Sequence, residues 1–165
     1  LLHSLGAAHV VDSSADSFVD DLTEALRATG ATIAFDAIGG GDLASVLLSR
    51  MEKVASEQAG EFSRYGSATH KQVYVYGGLD RGPTTLRRDF GMSWGIGGWL
   101  LTPFLVKSGQ EVADRLRRRV ADEITTTFAS SYGMRVSLAE AVEPEHVRRY
   151  ARMATGEKAL VMPQV

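Results

Sequence analysis

The chain of 165 residues contains no cysteine. Disulfide frameworks, thiolate metal sites and cysteine nucleophiles are therefore excluded from this segment. Only four prolines and four histidines occur, and His3, His9, His70 and His146 are scattered without the helix-face or turn spacing that gathers a metal ion. Charge of one sign is also lacking. Eighteen basic residues against twenty acidic ones leave a net charge of −2, which gives no electrostatic case for nucleic acid or an anionic membrane. The longest apolar stretch, 92–106, is interrupted by Gly95, Gly97, Gly98 and Pro103, and it is too short to span a bilayer comfortably. No basic segment precedes an apolar one at the start, so a secretory signal is not expected and a reducing cytoplasm fits. Neither a G-x-S-x-G elbow nor a G-x-G-x-x-G turn between strand and helix is found.

What is present is the composition of a globular protein, 44% hydrophobic and 23% charged, with enough length for one sizeable core. The apolar run Ala8-His9-Val10-Val11-Asp12 predicts a short buried strand. Residues 16–29 then place Phe18, Leu22 and Leu26 four apart, a helical stripe that Gly30 closes. Thr32 to Ile38 is almost continuously apolar up to Asp36, as in a parallel strand buried on both faces. Gly39-Gly40-Gly41 ends it, and Asp42 suits the N-cap of a helix carrying Leu43, Val46, Leu47, Met51 and Val54. The polar segment 58–71 reads as a surface loop or insertion. A third strand, Gln72-Val73-Tyr74-Val75-Tyr76, runs into Gly77-Gly78.

Alternating strands and helices of this kind form βαβ units, so the expected class is α/β with a parallel sheet and flanking helices. Beyond Pro83 the aromatic and glycine-rich residues 90–101 predict a bent or closely approached strand. A long helix follows over 110–127, with Val112, Leu116, Val120 and Ile124 four apart. Its arginines, Arg115 and Arg117 to Arg119, read as a solvated face rather than a phosphate patch, since Asp114, Asp122 and Glu123 balance them. Ser137 and Glu140 have the spacing of a capping box, Pro144 suits the first turn of another helix, Gly156 stops that helix, and 158–162 forms a last strand.

Chemistry concentrates at two glycine turns. In an open parallel sheet, ligands sit beyond the carboxyl ends of the strands. Asp36-Ala37-Ile38-Gly39-Gly40 and Tyr76-Gly77-Gly78-Leu79 both fall there, and glycines let a flat ring or ribose approach the backbone. Tight strand-to-helix turns would use the same residues. Asp36 either bonds a ribose or caps its own turn, and Lys158 either meets a phosphate or is simply solvated. His9 reads as structural.

Taken in order, these pieces resemble the medium-chain dehydrogenase/reductase superfamily, of the quinone-oxidoreductase or zinc-type alcohol-dehydrogenase-like kind. The phrases that carry the resemblance are Leu5-Gly6-Ala7-Ala8-His9-Val10-Val11-Asp12, Phe35-Asp36-Ala37-Ile38-Gly39-Gly40 and Val73-Tyr74-Val75-Tyr76-Gly77-Gly78-Leu79, then Ser137-Leu138-Ala139-Glu140-Ala141 and Thr155-Gly156-Glu157-Lys158-Ala159-Leu160-Val161. The resemblance implies a partial Rossmann-like sheet lacking its first two strands over 1–128, and a closing segment over 129–165 that returns to a catalytic domain outside this chain. It implies an NADPH-dependent (or NADH-dependent) oxidoreductase acting on quinones, enones or other carbonyl compounds. Ala37, Ile38, Gly39, Gly77, Gly78 and Leu79 would lie along the nicotinamide and its ribose. The phosphate-binding loop, the position that selects NADPH over NADH, the catalytic residues and any zinc ligands fall outside the matched phrases, so this segment alone is expected to be inactive. The glycine-rich strand near 93–99 matches a region where such enzymes pair sheets across a dimer, so a homo-oligomer is expected. A non-catalytic α/β dimerisation module is the alternative. With the first strands absent, the run at His9 is expected to leave an unpaired apolar edge that a neighbouring copy covers.

Overall fold

The computed structural model describes residues 2–60, 62–152 and 158–164. They fall into two compact units, Leu1–Phe104 and Leu105–Val165.

In the first unit, helix α1 (Phe18–Thr29) forms where the stripe predicts it, and Gly30 ends it in the left-handed region, its N–H bonded to the Leu26 carbonyl. Strand β1 (Ile33–Asp36) follows, then the short β2 (Gly39–Gly41) and the 17-residue α2 (Leu43–Ala59). Strands β3 (Lys71–Val75), β4 (Asp80–Thr84) and β5 (Trp94–Gly98) complete the unit, before α3 (Leu101–Ser108), which runs across the boundary between the units. One parallel sheet has the order β1-β3-β5, and a second parallel pair joins β2 to β4. The glycine triplet thus forms a strand of its own instead of merely ending β1.

Pleating assigns each side chain a face. Ala34, Val73 and Ile96 stand in register across the sheet. They meet a core in which Ala44, Leu48, Val73 and Phe90 are buried, and Leu26, Met51 and Val54 join α1 to α2 beside Ala34. The next row presents Phe35 against Tyr74, with ring centroids 5.5 Å apart. Ile33 and Phe35 are 57% and 58% exposed, so β1 is not buried on both faces as its apolar sequence suggests.

The expected strand at Ala8–Asp12 does not form. A strand exists only through a partner, and β1 pairs with β3 alone among the described residues. The unpaired edge therefore belongs to β1, not to the run at His9.

The segment 62–70 is the largely exposed loop that the sequence predicts, but Ser67 within it is buried. Ser67 closes on a buried charge pair: Lys71, fully buried, donates from Nζ to Glu52 Oε2. Ser67 donates to the two Glu52 oxygens, from its N–H at 2.7 Å and from its hydroxyl at 2.8 Å, while Ser56 Oγ adds a third donor at 2.7 Å. Gly66 and Gly91, both at positive φ, make room for the carboxylate.

In the second unit, α4 (Gln110–Asp122) is shorter than the expected span. Ala113 is its buried residue, and Leu116, Val120 and Ile124 remain substantially exposed. Two of the arginines pair along the helix, Arg117 with Asp114 and Arg119 with Glu123, as a solvated face does. Strand β6 (Met134–Ser137), not expected from the sequence, pairs in parallel with β7 (Ala159–Met162). The capping box at the start of α5 (Leu138–Ala141) is formed in both directions, and Pro144 opens α6 (Pro144–Ala151). The helix stop at Gly156 and the Thr155-Gly156-Glu157 part of the closing phrase lie outside the described residues.

Burial pushes the Glu52 carboxyl up, but the donors from Lys71, Ser56 and Ser67 outweigh it and hold the group below its ordinary value of 4.5. The pair's contribution is present above that value and is lost as pH falls through the lower folded value. Lys71→Met strands the carboxylate without its cation and is expected to lower stability by about 3–5 kcal/mol. The double variant Glu52→Gln/Lys71→Met is expected to lose less than that single change. Chemical denaturation of the three proteins checks the order.

Candidate functional site

Strands β1 and β3 are parallel neighbours, so their carboxyl ends lie side by side. The backbone knits the two exits together. Tyr76 N–H donates to the Asp36 carbonyl at 2.9 Å, Asp80 N–H to the Ile38 carbonyl at 2.9 Å, and Leu79 N–H to the Ala37 carbonyl at 3.4 Å. All six candidate residues, Ala37, Ile38, Gly39, Gly77, Gly78 and Leu79, are thereby assembled on one ledge.

Asp36 sets the shape of the first turn. Only 2% exposed, it accepts through Oδ1 from the Ile38 N–H at 2.7 Å and the Gly39 N–H at 3.2 Å. Of the two readings of this residue, the turn cap is formed. Its other oxygen, Oδ2, is buried and has no hydrogen-bond partner among the described residues, a condition that costs free energy until a donor arrives.

The glycines play different parts. Gly39 has φ of 84°, where a side chain is strained, and a Cβ there would lie 2.8 Å from the Gly77 carbonyl. A Cβ on Gly77 would overlap the Ala37 carbonyl, so that glycine serves the packing of one exit against the other. Gly78 has open space beside it. Around it, Ile38, Tyr76 and Leu79 are 37%, 51% and 53% exposed, and they offer an apolar flank.

Asp80 is a participant that the sequence reading missed. Its Oδ1 accepts from the Gly82 N–H at 2.7 Å, and its carboxylate lies against Gly40. The signal was available in the acidic residue that directly follows Gly77-Gly78-Leu79. With the exposed Asp80 carboxylate beside it and Asp36 buried beneath it, the ledge disfavours a phosphate.

The remaining candidates lie elsewhere. Lys158 Nζ is taken by the Ser130 hydroxyl, and the His146 ring nitrogen faces the Glu140 carbonyl at 2.6 Å. No group of three potential metal ligands occurs among the described residues.

This architecture recurs in a solved structure. A presumptive NADPH:quinone reductase from Mesorhizobium loti superposes with a TM-score of 0.66, at 23% sequence identity, over 98% of this chain. The chain has the fold of part of that reductase. It spans 42% of the reductase's length. The resemblance read from the sequence is thus borne out as a likeness of fold, and the partial Rossmann-like α/β class with it. No family model matches the sequence, and neither does any curated protein. No helix among the described residues is long and apolar enough to cross a membrane.

The contrast between the two glycines of the second turn is testable. Gly77→Ala must push the two exits apart and is expected to cost about 1–3 kcal/mol. Gly78→Ala is expected to stay within about 0.5 kcal/mol of the parent. Thermal unfolding of both variants reads the difference directly.

Proposed function

We propose that this chain carries the nicotinamide end of the cofactor site of an NADPH-dependent (or NADH-dependent) oxidoreductase of the medium-chain dehydrogenase/reductase superfamily. A quinone, enone or other carbonyl compound is the substrate class, and the cytoplasm is the expected compartment. The observation that carries the reading is the joined ledge of Ala37–Ile38–Gly39 and Gly77–Gly78–Leu79 at the carboxyl ends of adjacent parallel strands, in a fold shared with the Mesorhizobium loti protein.

In this reading the bound cofactor supplies a hydride to the carbonyl compound. The apolar flank of Ile38 and Leu79 keeps water from one face of the ring. The open backbone at Gly78 admits it closely, and Asp36 holds the first turn rigid through its bonds to the Ile38 and Gly39 N–H groups. Phosphate binding belongs to polypeptide outside this chain, so the 165 residues alone are inactive.

An NADPH titration followed by the cofactor's own fluorescence is expected to show no saturable binding to this chain, and tight binding to a longer polypeptide that adds an upstream glycine-rich turn. Saturable binding to the chain alone contradicts the division of the site.

A dimerisation module is the second reading, and one observation favours it. Strand β5 is an edge strand, and Gly97 and Gly98 have nothing within 4 Å of where a Cβ would stand. The unpaired edge of β1 adds a second exposed ladder. Self-association is therefore expected in sedimentation velocity, and a monodisperse monomer would count against it.

A further inference from the structure

Away from the ledge, a cavity of about 60 Å³ lies between α1, α2 and the segment that leads into Phe90. Val19 and Val46 form its apolar wall, and Ser45, Ser49, Arg50, Arg87 and Asp89 its polar one. A water takes about 10–15 Å³ on the same measure, so the space admits roughly four to six heavy atoms.

Its charges are arranged unusually. Arg87 is committed to Asp42 at 2.7 Å, which neutralises both. Arg50 is half-buried and makes a weak contact to the neighbouring Ser49 hydroxyl at 3.3 Å, with no carboxylate partner among the described residues. Asp89 likewise has no cation among them, although it lines the same space. A half-buried guanidinium and a solvent-exposed carboxylate, neither in an ion pair among the described residues, thus line one small cavity without bonding each other.

The hydroxyls add direction. Ser45 and Ser49, only 1% and 7% exposed, stand one turn apart on α2. Ser45 Oγ already accepts the Arg87 N–H at 3.0 Å, so its own hydrogen is left to donate. The backbone is bent to fit. Arg88 is the one non-glycine residue at positive φ among the described residues, at 62°, and it turns the chain so that Arg87 and Asp89 both line the cavity. Phe90, fully buried and edge-on to Trp94 at 4.8 Å, anchors that turn. Strain of this kind persists only where its surroundings hold it.

We infer that this cavity is a binding site for a small α-amino acid in its zwitterionic form. The ligand carboxylate meets Arg50 with the Ser45 and Ser49 hydroxyls, and its ammonium meets Asp89. A dianion such as phosphate is disfavoured, because Asp89 stands opposite the guanidinium. The size admits glycine and leaves little room for a long side chain.

The test is an amide chemical-shift titration of the full chain with glycine as the probe, with acetate, methylammonium and inorganic phosphate as separate arms. Glycine is expected to produce saturable shifts at Ser45, Ser49, Arg50 and Asp89, with acetate and methylammonium each much weaker. Arg50→Gln and Asp89→Asn are each expected to weaken glycine by about tenfold or more, the worth of a hydrogen bond to a charged group. Both replaced side chains are at least partly solvent-exposed, and unchanged far-ultraviolet circular dichroism shows that the fold is retained. Acetate or phosphate binding as tightly as glycine, glycine affinity in either variant unchanged from the parent, or no saturable shift at all would each overturn the assignment.

Discussion

The buried pair of Glu52 and Lys71 fixes the frame on which the candidate site depends. Lys71 begins β3 and Glu52 lies on α2, so one ion pair ties the central strand to the helix that covers it. Ser67 closes the remaining valences of the carboxylate, and the polar segment between helix and strand acquires a fixed course. Buried charges are tolerated only when so completely satisfied. The consequence is felt at the far end of the strand. With β3 anchored at its start, its register against β1 places Asp36 beside Val75, and the two glycine exits meet.

Much of this was legible in the sequence, for physical reasons that can be named. The stripe of Phe18, Leu22 and Leu26 closed by Gly30 became α1, because period and stop signal agree. The capping box of Ser137 and Glu140 formed as spaced, since both of its hydrogen bonds are local. The ledge followed from two apolar strands that each end in glycine. Parallel neighbours bring such ends together without further instruction.

What was not legible depended on partners distant in sequence. The run Ala8-His9-Val10-Val11-Asp12 has the composition of a strand, yet composition cannot supply a neighbouring ladder, and the segment is irregular. The reverse holds for β2 and β4. Gly39–Gly41 and Asp80–Thr84 have poor strand propensity, and β4 contains Pro83, but they pair because the exits of β1 and β3 already run side by side. Strand β6 was hidden in the same way, since only β7, which begins 25 residues after Met134, defines it. The link between Glu52 and Lys71 spans 19 residues and leaves no periodic trace, so the segment between them read only as a surface loop or insertion, without its buried anchor at Ser67.

The central claim is that the two exits form the nicotinamide end of a larger site. It is tested most directly by nuclear Overhauser contacts between the dihydronicotinamide protons of NADPH and the methyl groups of a longer polypeptide that includes this chain. Contacts to the methyls of Ile38 and Leu79 are the expected result. Binding that shows its contacts at methyls elsewhere, and none at those two residues, would contradict the claim.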